Sequence, residues 1–268
     1  MTMTTQTATL EPPHRSLRWV RHSLVLARRS LAKTSRNPGA IVNGVVTPAL
    51  FLVLFLYLFG TAVAGTTGDY LQYLFPGILV MSAGVTGLVS TGTNINIDLQ
   101  NGVTDRFRSL PISRLAPLLG SVLADLVRYL TAVAILFLIG TALGFRSHGG
   151  PAPALAAIGL AVLFGFCLSW ITVLIGVKLK SAEAVLAFSF LTFLPLQLGT
   201  SLATPATSLP GWLQSWVSIN PVTAVMDACR ALLNGAPAGD RITTTLIWCA
   251  AIFLLFCPLA VWTYGRRD

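Results

Sequence analysis

The sequence is poor in charge, and acidic side chains are the scarcest part of it. Only 10% of its 268 residues are charged, with 9 Asp and Glu against 18 Lys and Arg, whereas soluble domains carry about 25% charged residues. Hydrophobic residues make up 54% of the chain, and the mean hydropathy is +0.75. These proportions predict an integral membrane protein and argue against a soluble, nucleic-acid-binding protein.

Motifs for nucleotide binding and catalysis are missing as well. No G-x-x-x-x-G-K-[ST] pattern occurs in the sequence, so the chain carries no P-loop for ATP. The histidines are scattered, and no carboxylate pair has metal-ligand spacing within an apolar segment. The cysteines have no motif spacing and are predicted to be small buried hydrophobes: Cys167, Cys229, Cys249 and Cys257. We therefore expect no catalytic residue, metal or cofactor in this chain.

Six apolar segments predict an all-α polytopic membrane protein with six transmembrane helices. A helix needs about 20 apolar residues to span a bilayer, and the segments cover about 41–63, 70–96, 115–144, 154–177, 184–203 and 242–264. In the second segment, Ala83, Gly87 and Thr91 recur every four residues, a spacing that allows close packing inside a bundle. Residues 1–14 are expected to be a disordered leader, and 15–268 one transmembrane domain.

Residues 15–36 form a basic segment before the first span. On a helix, leucines and alanines share one side of this segment, and basic side chains occupy the other: Arg18, His22, Arg29, Lys33 and Arg36. This pattern is typical of an amphipathic helix that lies in the membrane interface. The alternative is a basic flank that only orients the next span.

The positive charges predict the orientation of the bundle. With six spans and a cytoplasmic N-terminus, 14 of the 18 Lys and Arg fall in segments facing the cell interior and three face outside, with Arg128 inside the third span. Such a bias is the positive-inside pattern. It predicts a cytoplasmic membrane protein with both termini in the cytoplasm.

The most polar internal segment is residues 97–114. Asp98 can cap a short helix in which Val103, Phe107 and Leu110 form one narrow apolar face, and Pro111 ends it. Such a helix could dock in a groove of a cytoplasmic partner. On periodicity alone, an ordinary interfacial loop helix is equally consistent.

Two charged pairs lie in otherwise apolar surroundings at i, i+3 spacing. Asp125 and Arg128 fall in the third span, where pairing would offset a cost of about 2.5–3.5 kcal/mol for a lone charge at mid-bilayer. They are either a structural pair near the interface or a bundle-facing pair that transmits movement. Asp227 and Arg230 repeat the spacing within residues 204–240, which prolines break into half-helices of about 210–219 and 222–234. A re-entrant or interfacial hairpin fits this segment.

Aromatic residues suggest two further surfaces. Trp212 and Trp216 fit an aromatic belt at the outer membrane interface. An apolar substrate surface could be lined by phenylalanines, although such residues also pack against lipid or neighbouring helices; the candidates are Phe51, Phe55, Phe59, Phe188, Phe190 and Phe193.

Residues 98–114, DLQNGVTDRFRSLPISR, closely resemble the cytoplasmic loop of ABC transporter type-2 permeases of the daunorubicin-resistance type. Similarity continues through Ala116-Pro117-Leu118, Gly144-Phe145-Arg146, Leu209-Pro210-Gly211-Trp212 and Asn220-Pro221-Val222, so that it covers about 15–265. The resemblance implies that 98–114 is a coupling helix that inserts into an ATPase subunit through Asp98, Asn101, Gly102, Asp105, Arg106, Phe107 and Arg108. Residues 15–36 would be the connecting helix. Residues 205–234 would be an extracellular re-entrant hairpin that includes Trp212, Trp216, Asn220, Pro221 and Arg230, and it would act either as an interfacial anchor or as an exit gate.

The resemblance also implies a function. The chain would be the permease subunit of an ATP-driven exporter in the bacterial cytoplasmic membrane, moving an amphipathic drug, an antibiotic or a lipid-linked substrate. Two copies of a separate P-loop ATPase subunit would bind ATP and Mg, and a second permease chain would complete a homodimer, with no nucleic-acid partner. The alternatives are an exporter of envelope lipid or glycan, a non-transport membrane scaffold and a proton-driven transporter, for which only Asp125 offers a carboxylate.

Overall fold

The computed structural model describes residues 38–101 and 116–266, and within these ranges the chain is entirely helical and irregular, with no β-strand. The helices are α1 (Pro38–Ala64), α2 (Thr67–Gln100), α3 (Ala116–Ala142), α4 (Pro151–Lys178), α5 (Ala182–Leu198), α6 (Gly211–Ile219), α7 (Pro221–Leu233) and α8 (Gly239–Gly265), with a 3-10 turn at Ala206–Ser208. For the described residues, the all-α prediction is confirmed.

The central element is α2, against which α1, α3, α4, α5 and α7 all pack. Its apolar stretch is 93% buried, whereas the corresponding stretches of α1 and α8 are 28% and 22% buried. Close packing on α4 explains this burial: Thr172 Oγ1 donates to Gly87 O over 3.4 Å, and a Cβ on Gly165 would lie 3.1 Å from Ala83 Cβ. The close packing predicted from Ala83 and Gly87 is therefore confirmed.

Local capping sets where several helices begin. Thr66 Oγ1 accepts from Asp69 N (3.1 Å) at the start of α2, and Ser181 Oγ accepts from Ala184 N (3.2 Å) at the start of α5. Gly150, with φ of 86°, turns the chain into Pro151 at the first position of α4. Each device satisfies or removes a backbone N–H that the first helical turn leaves without a partner.

Five helical stretches among the described residues are long and apolar enough to cross a membrane: Gly44–Ala64, Thr67–Gln100, Ala124–Ala142, Pro151–Lys178 and Gly239–Gly265. They coincide with five of the six predicted segments. The remaining predicted segment, the fifth along the chain, contains α5. This is a shorter apolar helix of 17 residues, with a length of about 26 Å. The count of six membrane crossings stays a prediction.

The predicted fifth segment, 184–203, extends beyond the helix that contains it, because α5 ends at Leu198. After Leu198 the chain is no longer α-helical, and two carbonyls of this segment accept hydrogen bonds from side chains of α2. Tyr73 Oη donates to Ser201 O (2.6 Å), and Tyr70 Oη donates to Ala203 O (2.9 Å). Long-range hydrogen bonds thus replace the last helical turn.

Candidate functional site

Residues 101–115, which join α2 to α3, are called the linker, and the linker end of the bundle is where α2 ends and where the turn between α4 and α5 lies. Asp98 is half-buried in the last turn of α2, and Asn101 is its exposed C-cap. The prediction that Asp98 caps the start of a short helix is therefore wrong, because α2 continues through it to Gln100. The other predicted coupling residues lie outside the described residues: Gly102, Asp105, Arg106, Phe107 and Arg108.

Two amide side chains bind α2 to this turn. Asn96 Nδ2 donates to Gly176 O (2.9 Å) and Leu179 O (2.7 Å). Gln100 Nε2 donates to Asn96 Oδ1 (2.7 Å) and Lys180 O (2.8 Å). This pair was not predicted from the sequence. The available signal was an Asn at position 96 at the end of an apolar segment, because polar residues in such segments are often functional.

A buried ion pair lies within α3. Arg128 Nη1 donates to Asp125 Oδ1, and the side chains are only 9% and 1% exposed. The ion pair predicted from the i, i+3 spacing is therefore formed. Its burial fits both the structural and the movement-transmitting interpretation.

Arg230 of α7 is the centre of a hydrogen-bonded network at the hairpin end of the bundle. It is 8% exposed, and its guanidinium donates to Tyr73 O (3.0 Å), Ser201 O (2.6 Å) and Asp227 Oδ1 (2.8 Å). It also lies 4.0 Å from the centre of the Tyr73 ring, a cation–π distance. The predicted Asp227–Arg230 pair is formed, and its further partners, Tyr73 and Ser201, were not predicted.

Asn220 joins α6, α7 and the end of α5. Its Oδ1 accepts from Val222 N (2.9 Å), which caps α7, and Pro221 occupies the first helical position. Its Nδ2 donates to Leu196 O (2.9 Å) and Gly199 O (2.7 Å). A buried side chain that uses its donor and acceptor in this way fixes the angle between the hairpin and α5.

The hairpin tryptophans lie on its surface. Trp212 is 75% exposed and Trp216 is 41% exposed. Half-helices at about 210–219 and 222–234 were predicted, and α6 and α7 agree closely with them. Insertion of the hairpin into the bilayer stays a prediction, as does its role as a gate.

An apolar cleft of about 480 Å³ lies between α1, α2 and α5. Phe51 and Phe55 of α1 line one wall, and Phe190 and Phe193 of α5 line another. Met81 and Val85 of α2 and leucines of α5 also line the cleft, together with Thr47 of α1, Gln197 of α5 and Leu202. Phe188 does not line the cleft and is 53% exposed. Of the six phenylalanines that the sequence suggested, four line the cleft, Phe51, Phe55, Phe190 and Phe193, and two do not, Phe59 and Phe188.

Among the described residues, Gln197 is the one amide in the lining of this cleft. Both polar atoms of its side chain are shielded from solvent and have no hydrogen-bond partner among the described residues. A Cβ on Gly84 would come within 2.7 Å of Gln197 Nε2, so Gly84 provides the room that this amide occupies. A buried amide without a partner is costly, and sequence reasoning did not identify it.

The basic residues of the predicted interfacial helix lie outside the described residues: Arg18, Arg29, Lys33 and Arg36. No group of three or more His, Cys, Asp or Glu side chains is placed to hold a metal ion in the described part of the chain.

Comparison with known proteins identifies the family. A sequence model described as "ABC-2 type transporter" matches residues 21–234. The chain is 35% identical to the daunorubicin resistance ABC transporter permease protein DrrB1 of Streptomyces coeruleorubidus over 90% of this chain and 84% of that protein.

Relatives of lower sequence identity are also named as permeases. The chain is 25% identical to the probable doxorubicin resistance ABC transporter permease protein DrrC of Mycobacterium tuberculosis, over 91% of this chain and 88% of that protein. It is 27% identical to the putative transport permease ycf38 of Cyanophora paradoxa, over 81% and 75% respectively. With a family match over most of its length and a close full-length relative, this chain belongs to the ABC-2 type transporter family and is similar throughout to ABC transporter permeases.

Proposed function

We propose that the chain is the membrane subunit of an ATP-driven exporter of amphipathic drugs, powered by a separate ATPase subunit. The observation that carries the proposal is its similarity, over 90% of its length, to a permease named for daunorubicin resistance. The chain itself would hydrolyse no ATP. ATP and Mg would be bound by two copies of the partner subunit, and a second copy of this chain would complete a homodimer.

The cleft between α1, α2 and α5 supports an amphipathic substrate. Its volume of about 480 Å³ is in the range of small-molecule sites, which combine apolar walls with a few polar groups. Phe51, Phe55 and Phe193 would contact the flat apolar part of the substrate, and the Gln197 amide would hydrogen-bond to its polar edge. A lipid-linked envelope component has the same two-part chemistry and is the second candidate substrate.

The mechanism follows from what α2 contacts along its length. The helix begins next to the hairpin, where Tyr73 contacts Arg230; it lines the cleft with Met81 and Val85; and it ends at Gln100, directly before the linker. A displacement of the linker by the ATPase subunit would therefore move a rigid helix that touches both the cleft and the hairpin. ATP binding would bias the bundle between two states that expose the cleft to opposite sides.

The proposal includes an orientation in the bacterial cytoplasmic membrane, with both termini in the cytoplasm. The distribution of Lys and Arg supports it. Variants with a single Cys at position 148 or 104, in a background without the native cysteines, should react with a membrane-impermeant maleimide from outside only at position 148. Labelling of intact cells at position 104 would contradict the orientation.

The coupling role of the linker is tested by co-purification. Arg106→Ala combined with Phe107→Ala should abolish capture of the ATPase subunit by a tagged permease, because the cationic and apolar contacts of the linker are removed together. Arg241→Ala combined with Trp212→Ala is the matched control on exposed hairpin-end residues, and it should leave capture unchanged. Undiminished capture by the linker variant, with a normal gel-filtration profile, would rule out the coupling role.

A further inference from the structure

We propose that Asn96 and Gln100 act as a latch that makes the end of α2 and the α4–α5 turn move as one unit, so that a push on the linker reaches α5 directly as well as α2. This inference rests on the proposed function, because it specifies how the displacement would be distributed. Asn96 and Gln100 are positioning residues in this account; neither contacts the substrate.

Asn96 has the geometry that a latch requires. The side chain is 1% exposed, and its two amide hydrogens go to Gly176 O and Leu179 O while its oxygen accepts from Gln100 Nε2. Carbonyls at the end of a helix lack intrahelical partners, so Asn96 satisfies acceptors at the end of α4 from within α2. A relative shift of the two helices would break these bonds in an environment with little water to replace them.

The backbones of α2 and α4 touch one turn before the latch. A Cβ built on Gly176 would come within 2.9 Å of Gly92 Cα. Both residues are glycines, so no side chain separates the two helix backbones at this point. Close backbone contact of this kind resists sliding, because any movement along the axis brings bulkier neighbours into the same space. The hydrogen bonds and this contact together hold α2 and α4 in register.

Gln100 extends the connection to α5. Its Nε2 donates to Lys180 O, and Lys180 precedes Ser181, the residue that caps α5. The capped helix begins two residues after the latched carbonyl and carries Phe193 and Gln197 to the cleft. Two of the three walls of the cleft, α2 and α5, are therefore linked at the end from which the proposed force arrives.

The latch can be weakened without touching the buried residue. Gln100 is exposed, so Gln100→Met should fold normally while losing both donated hydrogen bonds. Gln100→Lys retains a donor for Lys180 O and is the conservative rescue. Gln214→Met is the matched control, since Gln214 is also exposed and donates one hydrogen bond, to Leu209 O (2.8 Å), at the hairpin end.

The measurement is the amount of doxorubicin moved per ATP hydrolysed in inverted vesicles that contain the permease with its ATPase subunit. Gln100→Met should lower this ratio at least about threefold, the effect of losing roughly one hydrogen bond's stabilisation of the coupled state. ATPase co-purification and the thermal unfolding midpoint should stay close to those of the unmodified protein. Asn96→Leu should lower the ratio further, and Gln100→Lys should restore much of it.

The outcomes separate the latch from a merely structural role and from the proposed function. The latch would be overturned if the amount of doxorubicin moved per ATP were unchanged both in Gln100→Met and in a folded Asn96→Leu variant. A loss of ratio in Gln214→Met equal to that in Gln100→Met would also overturn it, since the effect would not be local. If the unmodified complex moved no doxorubicin and no lipid-linked substrate on ATP addition, the proposed function itself would fall.

Discussion

The two ends of α2 are held by different chemistry. At the hairpin end, the Arg230 guanidinium donates to Tyr73, Ser201 and Asp227 and stacks on the Tyr73 ring. At the linker end, about 35 Å away along the helix, neutral amides of Asn96 and Gln100 donate to backbone carbonyls. Charge-assisted hydrogen bonds contribute about twice as much as neutral ones.

This difference suits a helix that receives the proposed push at its linker end. The charge-assisted network around Arg230 resists separation of the hairpin from α2 strongly, whereas the neutral amide bonds hold the end of α2 to the α4–α5 turn with a smaller contribution to stability.

Removal of Arg230 should have the largest effect. Arg230→Met removes the guanidinium's hydrogen bonds to the carbonyls of Tyr73 and Ser201 and its ion pair with Asp227, and it should lower the free energy of unfolding by about 3 kcal/mol. The check is denaturation in detergent followed by tryptophan fluorescence. Arg241→Met, at an exposed arginine, is the control and should change stability by less than about 0.5 kcal/mol. If Arg230→Met and Arg241→Met lowered the free energy of unfolding equally, the stronger attachment of α2 at its hairpin end would be contradicted.

Removal of the Asn220 side chain should have an intermediate effect. Asn220→Ala deletes the cap of α7 and both bonds to the end of α5, for an expected loss of about 2 kcal/mol. The same denaturation assay measures it. Asn234→Ala, at the exposed C-cap of the same helix, should be nearly neutral, and a larger loss there than at Asn220 would contradict the assigned contacts.

The smallest stability effect is expected at Gln100. Gln100→Met should lower the free energy of unfolding by about 1 kcal/mol or less, because its bonds are neutral and the residue is exposed. Differential scanning fluorimetry of the purified permease is sufficient to compare it with Arg230→Met. A loss equal to that of Arg230→Met would show that the linker end is as firmly fixed as the hairpin end.

The elements that sequence alone predicted are those set by local pattern. Long apolar runs predicted α1 to α4 and α8, the prolines at 210 and 221 predicted the half-helices, and the i, i+3 spacing predicted the pair Asp125–Arg128. Each rests on residues a few positions apart. The family resemblance, which drew on the segment 98–114, is confirmed by the match over 21–234.

Residues whose importance comes from distant partners were not predicted. Asn96 donates hydrogen bonds to residues 80 and 83 positions away along the chain. Arg230 donates to Tyr73 across 157 positions. Nothing in the local sequence indicates such pairings. The contacts of the segment after α5 have the same origin, because Ser201 O and Ala203 O accept hydrogen bonds from Tyr73 and Tyr70 of α2. Gln197 acquires its position in the cleft only when α1, α2 and α5 come together.

Under the proposed function, this chain moves substrate only when a separate ATPase drives it. The most direct test is ATP-dependent accumulation of doxorubicin in inverted vesicles containing the permease alone, the permease with its ATPase subunit, or the permease with an ATPase that binds but does not hydrolyse ATP. The account predicts accumulation only with the active ATPase. Uphill transport by the permease alone, at the rate of the full complex, would contradict it.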